Sequence, residues 1–213
     1  MTTFKQKIKT YQLYQPIRNW VTHRRQIQEL KEWEHSGKPL PLPHLLKQEI
    51  LRGYINKYDL KILVETGTYF GDMVEALRRS FSKVYSIELS DYLAAEAKMR
   101  FKSASNVSIL QGDSGKEIEK LMLEIDLPTL FWLDGHYSAG ITAKGENETP
   151  IMAELTNIFN APDLHHVILI DDARAFGKIS DYPTLDELQH FVQSRRDHVE
   201  ITVKDDIIRI TPI

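Results

Sequence analysis

Val64-Glu65-Thr66-Gly67-Thr68-Tyr69-Phe70-Gly71 decides how this chain is read. An apolar run ends in a carboxylate, breaks at a glycine and restarts at Asp72 with helical spacing. That is how a parallel sheet opens a nucleotide-sized crevice above its first strand. The glycines do not follow the G-x-G-x-x-G dinucleotide spacing: Gly67 and Gly71 enclose three residues, and Glu65 stands two places before the first. A phosphate beside that carboxylate would be repelled, whereas a ligand carrying positive charge would be tolerated or preferred. A plain strand-to-helix turn with no ligand remains the other reading of the segment.

Working outward, short apolar runs suited to burial on both faces predict strands at 61–65, 83–88, 107–111, 129–134 and 166–171. Helix starts lie between them. Asp72 precedes Glu75, Ser114 precedes Glu117 and Thr184 precedes Glu187 at capping-box spacing, and Thr149-Pro150 puts proline at a first helical position. The chain closes with two β-rich runs, 198–203 and 207–210, separated by Lys204-Asp205-Asp206, which reads as a hairpin. The fold class is α/β: a Rossmann-like, doubly wound, mostly parallel seven-stranded sheet with a C-terminal antiparallel hairpin, assigned to residues 59–213.

Residues 1–58 read as a helical extension. One or two amphipathic helices over 5–33, with Tyr11, Tyr14, Ile17, Trp20, Val21, Ile27 and Leu30 on the apolar side, end before the Pro-rich segment 36–43; a short helix follows from His44 to Tyr58. The first 60 residues carry eleven Lys or Arg against five acids, about +6, so the rest is near −9 within a net charge of −3. That basic piece either docks on the acidic main domain or meets an anionic partner. The absence of cysteine excludes disulfides, thiolate metal sites and cysteine nucleophiles. No apolar run reaches the roughly 18 residues of a membrane helix and no signal peptide is recognisable, so the expected location is cytoplasmic. A homo-oligomer is left open.

Ligands of open parallel sheets sit beyond the carboxyl ends of the strands, and here those ends are acidic. Glu65 and Glu88 finish the first two strands, Asp113 follows the third in Gly112-Asp113-Ser114, Asp134 ends the fourth, and Asp171-Asp172 end the fifth. Glu88 lies 88 − 67 = 21 residues beyond Gly67, the interval at which an acid meets a ribose diol. Asp113 is either a ligand contact or a carboxylate favoured by a helix N-terminus. Asp134, Asp171 and Asp172 would repel one another unless a cation intervened, and hard oxygen ligands suit Mg²⁺ or Mn²⁺ rather than zinc.

The acid-x-Gly-x-x-x-Gly pattern resembles the first motif of class I S-adenosylmethionine-dependent methyltransferases, and residues 60–213 match their layout. The resemblance implies a cofactor site at Glu65, Thr66, Gly67, Thr68, Gly71, Glu88, Asp113, Ser114 and Asp134, with Asp113 on the adenine amino group. Phe131-Trp132-Leu133-Asp134-Gly135-His136 together with Leu169-Ile170-Asp171-Asp172 is similar to metal-assisted sugar O-methyltransferases of the macrocin O-methyltransferase kind. That implies metal ligands at Asp134, Asp171 and Asp172. His136 stands where that family places its catalytic Asp, and reads as base, as fourth ligand or as a loop residue. Segments 35–44 and 138–149 also resemble an uncharacterised bacterial family of the same class.

The implied function is O-methylation of a sugar or another small polar metabolite, the cation stabilising the alkoxide and His136 and Asp134 serving catalysis. Loop 138–146 reads as a lid, and Lys144 as an acceptor contact or a solvated side chain. The alternative from another class is a non-catalytic protein of this fold that docks a partner through its basic N-terminal helices. A nicotinamide oxidoreductase is disfavoured by the glycine spacing, and nucleic acid by the acidic main domain.

Overall fold

The structure is a computed structural model that describes residues 4–134, 149–179 and 181–213, with side chains from Tyr14 onward. Five parallel strands, β1 (Ile62–Thr66), β2 (Lys83–Glu88), β3 (Val107–Gln111), β4 (Thr129–Leu133) and β5 (Val167–Ile170), lie within a residue or two of the expected positions. The hairpin is β6 (Val199–Lys204) and β7 (Ile207–Pro212), turning through Asp205 and Asp206, both at positive φ. Asp tolerates that backbone region better than most residues, and paired positive φ values suit the twist of a two-residue hairpin.

The sheet order is β3-β2-β1-β4-β5-β7-β6. Strand β7 runs antiparallel to both β5 and β6, so it alone is reversed. The chain winds outward from β1 through β2 to β3, then returns to place β4 against the other side of β1. The two halves therefore diverge between β1 and β4, the switch point beyond whose carboxyl ends ligands of open sheets sit.

Alternate strand residues feed two core layers. Val64, Ile87, Phe131, Leu133 and Ile170 pack with α5 (Ser114–Leu121), α6 (Ile151–Asn160) and α7 (Leu185–Gln193). Leu63, Val84, Leu130, Trp132 and Leu169 pack with α2 (His44–Tyr58), α3 (Asp72–Leu77) and α4 (Asp91–Arg100). Leu51 and Ile55 place α2 inside this second layer, so the segment after the prolines helps to build the core.

Helix α1 (Phe4–His35) is continuous through Pro16 and departs from the amphipathic expectation. Its polar residues meet the body: Asn19 bonds Glu75 and Arg100, Gln26 bonds His44, and Arg25 faces Asp72. Tyr14, Ile17, Trp20 and Val21 instead stay more than half exposed. Docking follows charge and hydrogen bonds rather than these apolar side chains. Among the described residues no helix is long and apolar enough to cross a membrane.

Two caps also differ from expectation. Helix α3 is preceded by Gly71 at φ 74, leaving Asp72 free to pair with Arg100 at 2.7 Å. Helix α5 is capped by Asp113, whose Oδ1 accepts from Lys116 N at 3.2 Å, and Ser114 is its first residue. Thr184 and Glu187 do form the expected capping box on α7, whereas Pro150, expected at the first helical position, lies one residue before α6.

Candidate active site

The turn after β1 is tied to β2. Gly67 N and Thr68 N both donate to Ile87 O, and Gly71 N closes the turn onto Thr68 O at 2.7 Å. Gly67 and Gly71 take φ 81 and 74, where a Cβ is strained. At Gly71 an added Cβ would lie 2.6 Å from Phe101 Cε2, so the turn presses against the end of α4. The guanidinium of Arg100 holds it there by donating to Phe70 O and Asp72 Oδ1.

Glu88, at the end of β2, accepts from Tyr69 N at 2.8 Å on one oxygen and from Ser90 N at 2.9 Å on the other. Each oxygen retains a lone pair for a further donor. Glu65 sits deeper, 2 % exposed, and accepts from Ser86, its cross-strand partner. Burial outweighs that bond, and with help from Asp134 and Glu88 it raises Glu65 to about 8, so the group is a neutral acid at pH 7. Glu65 is thus an internal carboxyl of the sheet with Ser86 between it and Thr68 Oγ1.

On the other side of the switch point, Asp134 N donates to Thr66 Oγ1 at 3.2 Å, joining the ends of β4 and β1. The carboxyl of Asp134 acts electrostatically on Glu65, Lys47, Glu154, Asp171 and Tyr182, which puts it at the centre of this rim. Asp113 and Ser114 lie at the start of α5, and the Asp113 carboxylate serves that helix as its cap. A small cavity lined by Asp134, Asp171, Glu154, Thr149 and Tyr182 lies between β4, β5 and α6.

Two carboxyls of that cavity each have an oxygen that is buried and unpartnered among the described residues, Glu154 Oε1 and Asp171 Oδ1. Burial raises Glu154 to about 7 against bonds from Ser114 and Thr66. Asp171 also rises to about 7, through burial and then Asp134, with Lys47 opposing. Glu154 escaped the sequence reading. Its signal was present, since Ile151, Glu154, Leu155 and Ile158 share one helical face, the buried one.

The expected metal triad takes a different form. Among the described residues no three His, Asp or Glu side chains are grouped to hold an ion. The consecutive acids part company: Asp171 is ion-paired with Lys47 Nζ of α2, while Asp172, at φ 56, meets Arg174 Nη1 at 2.7 Å. Arg174 also bonds Asp206 of the hairpin turn. Each carboxylate thus faces a cation supplied by the chain, and the residues as placed do not fit a divalent ion. His136 and Lys144 lie outside the described residues.

The fold is shared with solved structures. The O-methyltransferase TomG of Streptomyces achromogenes, involved in tomaymycin synthesis and solved with S-adenosylmethionine, matches with a TM-score of 0.58 at 16% identity over 88% of each chain. The chain has the methyltransferase fold. The Podospora anserina methyltransferase PaMTH1, bound to S-adenosylhomocysteine, gives 0.58 at 14% identity over 86% of each chain. The Bacillus cereus O-methyltransferase, with the same product, gives 0.57 at 15% identity over 87% of this chain and 90% of that one. No family model matches the sequence, and no curated protein does. At such identities the likeness speaks for the fold, and function rests on the site.

Proposed function

We propose that this protein is an S-adenosylmethionine-dependent O-methyltransferase acting on a hydroxyl of a sugar or other small polar metabolite. The observation that carries the reading is the rim of the switch point, where the Gly67–Gly71 turn, Glu88 and Asp134 converge from β1, β2 and β4. The donor set suits the cofactor: Glu88 keeps acceptor lone pairs for a ribose diol, and the first turn carries no basic phosphate ligand. In this reading 59–213 form the catalytic domain, and of residues 1–58 helix α1 is the cover while α2 joins the core beside the site.

The cofactor supplies an electrophilic methyl group on a positively charged sulfur. The chain's own part is to bind and orient. Glu88 and the turn hold the nucleoside, with Asp113 and Ser114 beside the base. The acidic rim around Asp134 favours the cationic ligand over its neutral product. Asp134 and His136 are the proposed acceptor-side groups. The divalent ion is left out, because Asp171 and Asp172 already have cations.

Isothermal titration tests the reading: S-adenosylmethionine and S-adenosylhomocysteine are expected to bind with micromolar affinity. No heat with either ligand overturns it.

A further inference from the structure

Lys47 comes from the N-terminal segment, yet its ammonium reaches the end of β5, 124 positions along the chain, to bond Asp171. The pair is enclosed, the Lys47 side chain being 14% exposed and that of Asp171 2%. The ammonium faces Asp171 directly, and Asp134 and Asp172 act on it electrostatically. Lys47 therefore stands in the field of the same three carboxylates that the sequence assigns to a metal. Beside it, Asp171 Oδ1 is buried and unpartnered among the described residues, on the wall of the cavity with Asp134 and Tyr182.

From this arrangement we propose that Lys47 is the built-in cation of the acceptor subsite, standing in for a divalent ion and holding an acceptor hydroxyl without chelation. The proposal rests on the methyltransferase reading above. An ammonium carries three donors, so a bond to Asp171 leaves others for an acceptor oxygen. Asp171 Oδ1 is placed to accept the hydrogen of that same hydroxyl. A divalent ion binds several oxygens at once and so holds a diol as a chelate, whereas an ammonium makes separate hydrogen bonds and closes no chelate ring. The acceptor class that fits is therefore a hydroxyl that needs no chelating neighbour. Because Lys47 rides on α2, the N-terminal segment completes the site rather than merely covering it.

The test uses the full chain, with Mn²⁺ and catechol as probes and S-adenosylmethionine titrated in parallel. In the wild type, S-adenosylmethionine binds equally with or without EDTA, Mn²⁺ gives no Asp171-dependent binding by electron paramagnetic resonance, and catechol does not bind the S-adenosylhomocysteine complex in the presence of Mn²⁺. Lys47→Met, with cofactor affinity unchanged, gains Mn²⁺ affinity by about tenfold or more as Asp171 loses its cation. Asp171→Asn added to Lys47→Met removes the gain, and Lys47→Arg does not show it. Asp171-dependent Mn²⁺ binding in the wild type, or Mn²⁺-dependent catechol binding there, overturns the proposal without needing any variant to fold. An unchanged Mn²⁺ affinity in folded Lys47→Met overturns it too. Loss of S-adenosylmethionine binding by the wild type is a separate result that sinks the methyltransferase reading instead.

Discussion

Glu65 shows how much of a residue's behaviour is set by where it is buried. Its position before Gly67 was plain in the sequence, but its neutral form at pH 7 follows from full enclosure beside Ser86, which no motif encodes. The consequence for stability has a definite sign. Between pH 4.5 and about 8 the unfolded chain has lost this proton and the folded one retains it, so stability falls as pH rises through that window. The slope is roughly 1 kcal/mol per pH unit. Glu65→Gln is expected to flatten a plot of urea midpoint against pH over this range and to raise stability at pH 8. Glu88 is a different kind of residue, an acceptor whose two oxygens organise two backbone turns. Glu88→Gln should weaken S-adenosylmethionine about tenfold to a hundredfold, the worth of a charged hydrogen bond, as measured by calorimetry.

Elements were legible wherever a local rule governs them. The strands declared themselves as apolar runs, and the box at Thr184 and Glu187 formed as its spacing required. Thr184→Ala should cost about 1 kcal/mol in urea unfolding, with cofactor affinity unchanged, because α7 lies away from the nucleoside side of the rim. Spacing misplaced the caps of α3 and α5 by one residue, for a tertiary reason in the first case. Asp72 was drawn into the ion pair with Arg100, and the strained backbone was left to Gly71. Gly71→Ala combines a left-handed backbone with a contact on Phe101, and about 2 kcal/mol or more of destabilisation is expected by chemical denaturation. The same substitution should lower cofactor affinity, since the turn it distorts carries Tyr69 N to Glu88.

At the scale of the whole molecule, the uneven charge explains how α1 is attached. A segment of about +6 sits on a remainder near −9, and Arg18, Asn19, Arg25 and Gln26 make the contacts while Trp20 and its apolar neighbours face outward. Exposed ion pairs contribute little each and are screened by salt. At 1 M NaCl, where screening acts within about 3 Å, amide exchange in residues 14–35 should accelerate while the strands keep their protection, read by mass spectrometry. An unchanged rate would mean that packing rather than charge holds the helix.

Periodicity and punctuation were enough to establish a doubly wound sheet, its reversed terminal strand and the acids at its strand ends, because each depends on residues adjacent in sequence. Which of those acids are neutral, which cap a helix and which face a cation depends on groups brought from elsewhere in the chain. Lys47 on Asp171, Arg174 between Asp172 and Asp206, and Glu154 under Thr66 and Ser114 are pairings of that sort. Charge interactions act through space over a few ångströms, and only folding sets those distances.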